Sequence, residues 1–127
     1  MTRRRTRLGE SRRRNFGAVK TIVDGIKFDS GHEARRYSDL KLLERAGEIS
    51  DLELQPRFRL GTAADPVKIR SQGYPNGRRC SYKADFRYKI NATGAVIVED
   101  AKGHDTDTAR LRRAFVEWQY KIRVVLI

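Results

Sequence analysis

Residues 81–103, SYKADFRYKI-NATG-AVIVEDAKG, constrain this chain more than any other stretch. Two β-rich runs, Ser81–Ile90 and Ala95–Lys102, flank an Asn91–Gly94 turn, the pattern of an antiparallel hairpin. Period-2 alternation puts Val96, Val98, Asp100 and Lys102 on one face of the second strand, a face that begins apolar and ends charged. Pairing Ile90 with Ala95 makes partner numbers sum to a constant. That register predicts Asp85 opposite Asp100 and Lys83 opposite Lys102, whereas an odd-length turn or a bulge would move it by one. Like charges directly opposite one another repel in a sheet. A divalent cation between the carboxylates relieves the repulsion, and carboxylate oxygens completed by waters suit magnesium. Lys102 then points the same way, placed to orient a water or offset charge on a phosphate oxygen. The alternative is a solvated edge on which Lys83 and Lys102 neutralise the acids.

Charge bounds the class of partner. The chain has 127 residues, enough for one domain with a modest core. It carries 28 Lys plus Arg against 16 Asp plus Glu, a net charge of +12. Seven arginines and one glutamate in the first 14 residues supply half of that, so the remainder is basic as well. This balance suits a polyanion, nucleic acid ahead of an anionic membrane surface. A lone cysteine, Cys80, excludes an intrachain disulfide and fits a reducing compartment. There is no apolar run long enough to span a bilayer, and the arginine-rich start lacks the apolar region of a secretory signal. A soluble, cytoplasmic protein is expected.

Along the chain, 1–14 reads as a basic tail, disordered until it meets a partner, with Arg3, Arg4, Arg5, Arg12, Arg13 and Arg14 as phosphate contacts. Residues 15–127 read as a single domain. Val19–Phe28 holds two β-branched runs about Asp24-Gly25, a type I′ hairpin signal with a structural role. Ser30 opens a helix that runs to about Ala46 and is closed by Gly47, and Ser30-x-x-Glu33 forms a capping box. At about 100° per residue, Ala34, Tyr37, Leu40 and Leu43 define the buried stripe and Glu33 falls near its middle. A carboxylate aimed at a core needs a metal or a lysine as partner, although Glu44 lies on nearly the same line.

Ile49–Leu60 reads as one strand broken or bent at Pro56, with Gln55 reaching the site or bonding the backbone. Gly61–Arg79 reads as a long loop whose Arg70, Arg78 and Arg79 touch a nucleic-acid backbone, with Tyr74 able to stack on a base or pack under its loop. Asp105, Thr106 and Asp107 are candidate N-caps for a second helix with an apolar stripe of Leu111, Ala114, Phe115 and Trp118. That stripe is expected to be core, and Arg110, Arg112, Arg113 and Lys121 a solvated face. Ile122–Ile127 reads as a buried strand, and strand, helix, strand implies a parallel pair. Lys102 then sits at the carboxyl end of a strand, where sites form in open α/β sheets.

This order, with Glu33, Asp85 and Asp100-x-Lys102 as marked residues, resembles the PD-(D/E)xK nuclease superfamily, in particular small phage-type proteins related to endonuclease I Holliday-junction resolvases. The stretches FDSGHEARRYSDLKLLERAGEISDLELQP, YKADFRY and VIVEDAKG carry the resemblance over most of 19–127. It implies an α/β (α+β) fold of restriction-endonuclease type, a mixed central sheet flanked by helices in the order β-hairpin, α, β, β, β, α, β. It also implies that Asp85 and Asp100 bind Mg²⁺, or Mn²⁺ in its place, helped by the Ala101 carbonyl. Glu33 completes the metal site or holds its water, and Lys102 activates the water and stabilises the pentacovalent phosphate. Two departures stand out. Ala84 occupies the motif's proline position, and Asp100 replaces the more usual glutamate, with Glu99 adjacent.

The expected activity is Mg²⁺-dependent endonucleolytic cleavage of DNA, branched DNA first, by a homodimer that pairs two sites. The alternatives are a restriction- or repair-type nuclease on duplex or single strands, and a non-catalytic basic nucleic-acid-binding protein whose acids are structural.

Overall fold

Asp24 and Gly25 both take positive φ, 53° and 75°, which is what a type I′ turn requires. The computed structural model describes residues 19–101 and 105–127. Two compact units divide the chain, Met1–Leu43 and Glu44–Ile127. In the first, β1 (Thr21–Val23) pairs antiparallel with β2 (Ile26–Phe28), and α1 (Gly31–Arg45) follows. The Glu33 N–H donates to Ser30 Oγ at 3.2 Å, so the expected cap is present. Beyond the other end, Gly47 takes φ 79° and its N–H donates to the Glu44 carbonyl at 3.1 Å. Glu33, Ala34, Tyr37 and Leu40 are buried, as the periodicity predicts, while Leu43 is half-buried. Phe28 lies against Tyr37 with ring centroids 5.0 Å apart, and the Tyr37 hydroxyl donates to Asp24 Oδ2 at 3.1 Å. The turn and the helix therefore hold each other in place.

The second unit runs β3 (Ile49–Leu54), β4 (Arg57–Arg59), β5 (Lys68–Ser71), β6 (Tyr74–Arg79), β7 (Ser81–Lys83), β8 (Phe86–Ile90), β9 (Val96–Asp100), α2 (Asp107–Tyr120) and β10 (Val124–Leu126). The chain is thus mixed α and β. The second unit contains a four-stranded sheet in the order β10-β9-β8-β3. β3 and β9 run antiparallel to β8, and β10 runs parallel to β9, as a strand-helix-strand order predicts. From Lys89↔Val96 to Phe86↔Glu99 the β8–β9 ladder keeps the expected constant-sum register. The Ile90 N–H donates to the Ala95 carbonyl at 2.8 Å, and Gly94 turns at φ 77°.

Four expectations need correction. First, Ser81–Ile90 is two strands, because the chain bends at Ala84-Asp85, where the ladder with β9 stops while the pairing with the 49–59 stretch continues. Gln55 takes φ 53° and its N–H donates to the Asp85 carbonyl at 2.8 Å, while the Ala84 N–H donates to the Pro56 carbonyl at 3.0 Å. Pro56 has no N–H to give a ladder, so both strands bend together there. Beyond the bend, β4 pairs with β7 and Lys83 faces Arg57, while the expected Lys83–Lys102 pairing lies outside the described residues.

Second, Gly61–Arg79 is not an irregular loop, since β5 and β6 pair antiparallel within it. Most of the hairpin's residues are exposed, which leaves no apolar alternation to read.

Third, α2 is rolled relative to its apolar stripe. Leu111 and Trp118 are 70% and 67% exposed, whereas Val116 is fully buried and the Arg113 side chain is 12% exposed. Hydrogen bonds decide the roll. The Gly61 N–H donates to Gln119 Oε1 at 2.9 Å, and Gln119 Nε2 donates to the Arg59 and Gly61 carbonyls, each at 3.1 Å. The Tyr120 hydroxyl donates to the Arg59 carbonyl at 2.7 Å. Val116 thereby enters a core with Phe58, Leu60, Cys80, Tyr82, Ala84, Val98 and Val124, and Phe115 packs at its margin. Of the three candidate caps, Thr106 serves: its Oγ accepts the Ala109 N–H at 3.1 Å.

Fourth, β10 is an edge strand with Val125 and Leu126 exposed, and Val96 at the far end of β9 is exposed too.

Candidate active site

Asp85 stands at the shared bend of the two strands. Its N–H donates to the Glu99 carbonyl at 3.0 Å, one residue out of step with the Phe86↔Glu99 pair. Its carboxylate Oδ2 accepts the Ala101 N–H at 2.6 Å. Asp85 therefore bonds the backbone on either side of Asp100, although the ladder ends one step short of their expected direct pairing. Irregular steps of this kind re-aim side chains beside sites. Gln55 contributes here through its backbone N–H, which bonds the Asp85 carbonyl.

Asp100 is 2% exposed and its Oδ2 accepts a hydrogen bond from the Tyr82 hydroxyl. Burial, and after it the adjoining Asp100 carboxylate, push the Tyr82 phenol far above the ordinary tyrosine range, with the Arg113 guanidinium working the other way. Tyr82 therefore stays protonated and remains a donor to Asp100. Arg113 is itself clamped by Asp105 through two bonds of 3.0 and 2.8 Å, and that pairing holds the guanidinium firmly charged. Glu99, pointing to the opposite face of β9 by alternation, is equally buried and accepts from the Tyr88 hydroxyl. Asp100 shares its face with Val98 of the core.

The donor set suits a hard cation. Two carboxylates and the Ala101 carbonyl offer oxygen only. Among the described residues, no group of three or more His, Cys, Asp or Glu side chains is gathered to hold a metal. Magnesium needs no such group, because it keeps several waters and is commonly held by one or two carboxylates. Hydrogen bonds from Tyr82 and the Ala101 N–H are the kind of outer support that orients ligating carboxylates.

Glu33 lies in the first unit, near the start of α1 and 6% exposed. The expected roles of Lys102 and of Arg3, Arg4, Arg5, Arg12, Arg13 and Arg14 fall outside the described residues. Of the other expected backbone contacts, Arg70 is exposed on β5. Arg78 stacks its guanidinium over the half-exposed Tyr74 ring, 5.1 Å from the centroid. Arg79 donates to the Leu60 and Gly61 carbonyls at 3.3 and 3.1 Å, so it also ties down the chain.

Sequence reasoning missed Tyr82 and Arg113. The alternation that pairs Tyr82 with Ala84 as inward positions was the available signal for the first. For Arg113 no local signal existed, because its burial follows from the roll of α2.

The family model described as a protein of unknown function, DUF1064, matches residues 13–126. No curated protein and no solved structure matches the chain.

Proposed function

We propose that this chain, which belongs to the DUF1064 family, is a Mg²⁺-dependent endonuclease that hydrolyses DNA phosphodiester bonds, with branched DNA as its substrate. The observation that carries the reading is the pair of bonds from Asp85 to the backbone of the two residues flanking Asp100, where the β8–β9 ladder ends. Asp85, Asp100 and the Ala101 carbonyl would hold the ion. Magnesium bound there would supply Lewis-acid polarisation of a phosphate oxygen and a more acidic water. Tyr82 and the Ala101 N–H keep the two carboxylates in orientation. Lys102, two residues beyond Asp100, supplies positive charge for the developing phosphate oxyanion. A homodimer in the cytoplasm is part of the same reading, and the exposed apolar stripe of Leu111 and Trp118 offers surface for a second copy.

Incubation with a four-way junction, a linear duplex and a single strand, in Mg²⁺ and in EDTA, tests it. Cutting is expected in Mg²⁺ alone, the junction first. Asp85→Asn, Asp100→Asn and Lys102→Ala are each expected to reduce the rate by about 100-fold or more, the scale of removing one charge-stabilising group, and to leave DNA binding largely intact. The rival reading is a non-catalytic binder. It draws on the protein donors that Asp85 and Asp100 already have, and it requires no cleavage with Mg²⁺ or Mn²⁺ and unchanged or tighter binding by Asp85→Asn.

A further inference from the structure

Five cationic residues line one groove of the second unit: Arg57 of β4, Arg78 and Arg79 of β6, Lys83 of β7 and Arg112 of α2. None of the residues lining it is acidic. They come from four elements, so the fold gathers like charges against their mutual repulsion. The groove has a volume of about 470 Å³, on the order of what encloses one or two nucleotides. Arg57 is tied by a 3.0 Å bond from Nη1 to Ser81 Oγ and Arg79 by its two carbonyl contacts, so both are positioned before any ligand arrives. Arg112 differs. Its Nε is buried and has no hydrogen-bond partner. Guanidinium groups match phosphate geometry, and four of the five cations are arginines. Tyr82 is among the residues lining the same groove, and its hydroxyl bonds Asp100.

We infer that this groove binds the phosphodiester backbone of one nucleic-acid strand, with Arg112 as its anchor. The ligand's identity rests on the reading of the chain as a protein that acts on DNA; the groove itself requires no cleavage. The test is fluorescence anisotropy of the full chain in EDTA, with a labelled oligothymidine strand and a duplex of equal length. Arg112→Gln and Lys83→Glu are each expected to weaken strand binding about tenfold, a typical loss for a charge-assisted contact, and to affect the duplex less. Lys83 is exposed, so its reversal is expected to leave thermal unfolding unchanged and keeps the test valid should Arg112→Gln fold poorly. Strand affinity equal to wild type in Lys83→Glu and in any folded Arg112→Gln protein would overturn the inference. So would a larger loss on duplex than on strand, or competition by polyglutamate as effective as that by oligothymidine. Failure of the two readings is distinguishable. A wild-type chain that cuts nothing, while groove variants lose strand binding, removes the nuclease and keeps the groove. Normal cutting and binding by the groove variants remove the groove alone.

Discussion

Tyr82 places its ring against the core and its hydroxyl on a buried carboxylate, which makes the link between packing and the candidate site a single residue. Because its folded pKa is raised, the folded chain keeps the phenolic proton where the unfolded chain, with its ordinary value of 10.0, releases it. The unfolded state then binds fewer protons, so stability falls as pH rises above 10, by up to about 1.4 kcal/mol per pH unit from this group. Tyr82→Phe is expected to lose about 1–3 kcal/mol near neutral pH by leaving Asp100 short of a donor, and to lack that alkaline slope. Urea unfolding of both proteins at several pH values from about 9 to 11 checks the difference, because other titrating groups cancel in the comparison. At this scale the acids themselves were legible: alternation and a constant-sum register led to Asp85 and Asp100 from residue numbers alone. Their hydrogen-bond donors were not, since Tyr82 and the Ala101 N–H reach them only after the strand bends.

Two elements departed from expectation for the same physical reason. The bend at Gln55-Pro56 was foreseen from the proline, but its companion at Ala84-Asp85 has no breaker in its own sequence and is imposed by the neighbouring strand. Likewise, the apolar stripe of α2 predicted one buried face, and polar contacts from Gln119 and Tyr120 to Arg59 and Gly61 turned another face inward. Gly61 is central to that docking. It takes φ 77°, and a Cβ there would stand 2.5 Å from the Asp65 carbonyl oxygen and 2.6 Å from the Val67 nitrogen. Gly61→Ala is therefore expected to cost about 2 kcal/mol or more. Chemical denaturation measures the loss, and near-ultraviolet circular dichroism would report a loosened Tyr120 and Trp118 environment on α2.

For the whole molecule, the net charge of +12 sets the class of partner and the tertiary structure sets where that charge acts. If the five cations of the groove each neutralise one phosphate, the log–log dependence of strand affinity on salt has a slope of at least about −3.5, and Arg112→Gln makes it shallower by about 0.7. Binding titrations across a range of salt concentrations check both values. No helix of the described residues is long and apolar enough to cross a membrane. What the sequence determined by itself was local: the Asp24-Gly25 turn, the Ser30 cap, the β8–β9 register and the mixed α and β class. Each depends on the chemistry of near neighbours or on a strict two-residue period. Only the tertiary structure decided that Asp85 grips both flanks of Asp100, that α2 turns Arg112 and Arg113 toward the sheet, and that five separated cations share one groove. Those outcomes are settled by hydrogen bonds between residues far apart in the chain, such as Gln55 with Asp85 and Gly61 with Gln119, and no local pattern encodes them.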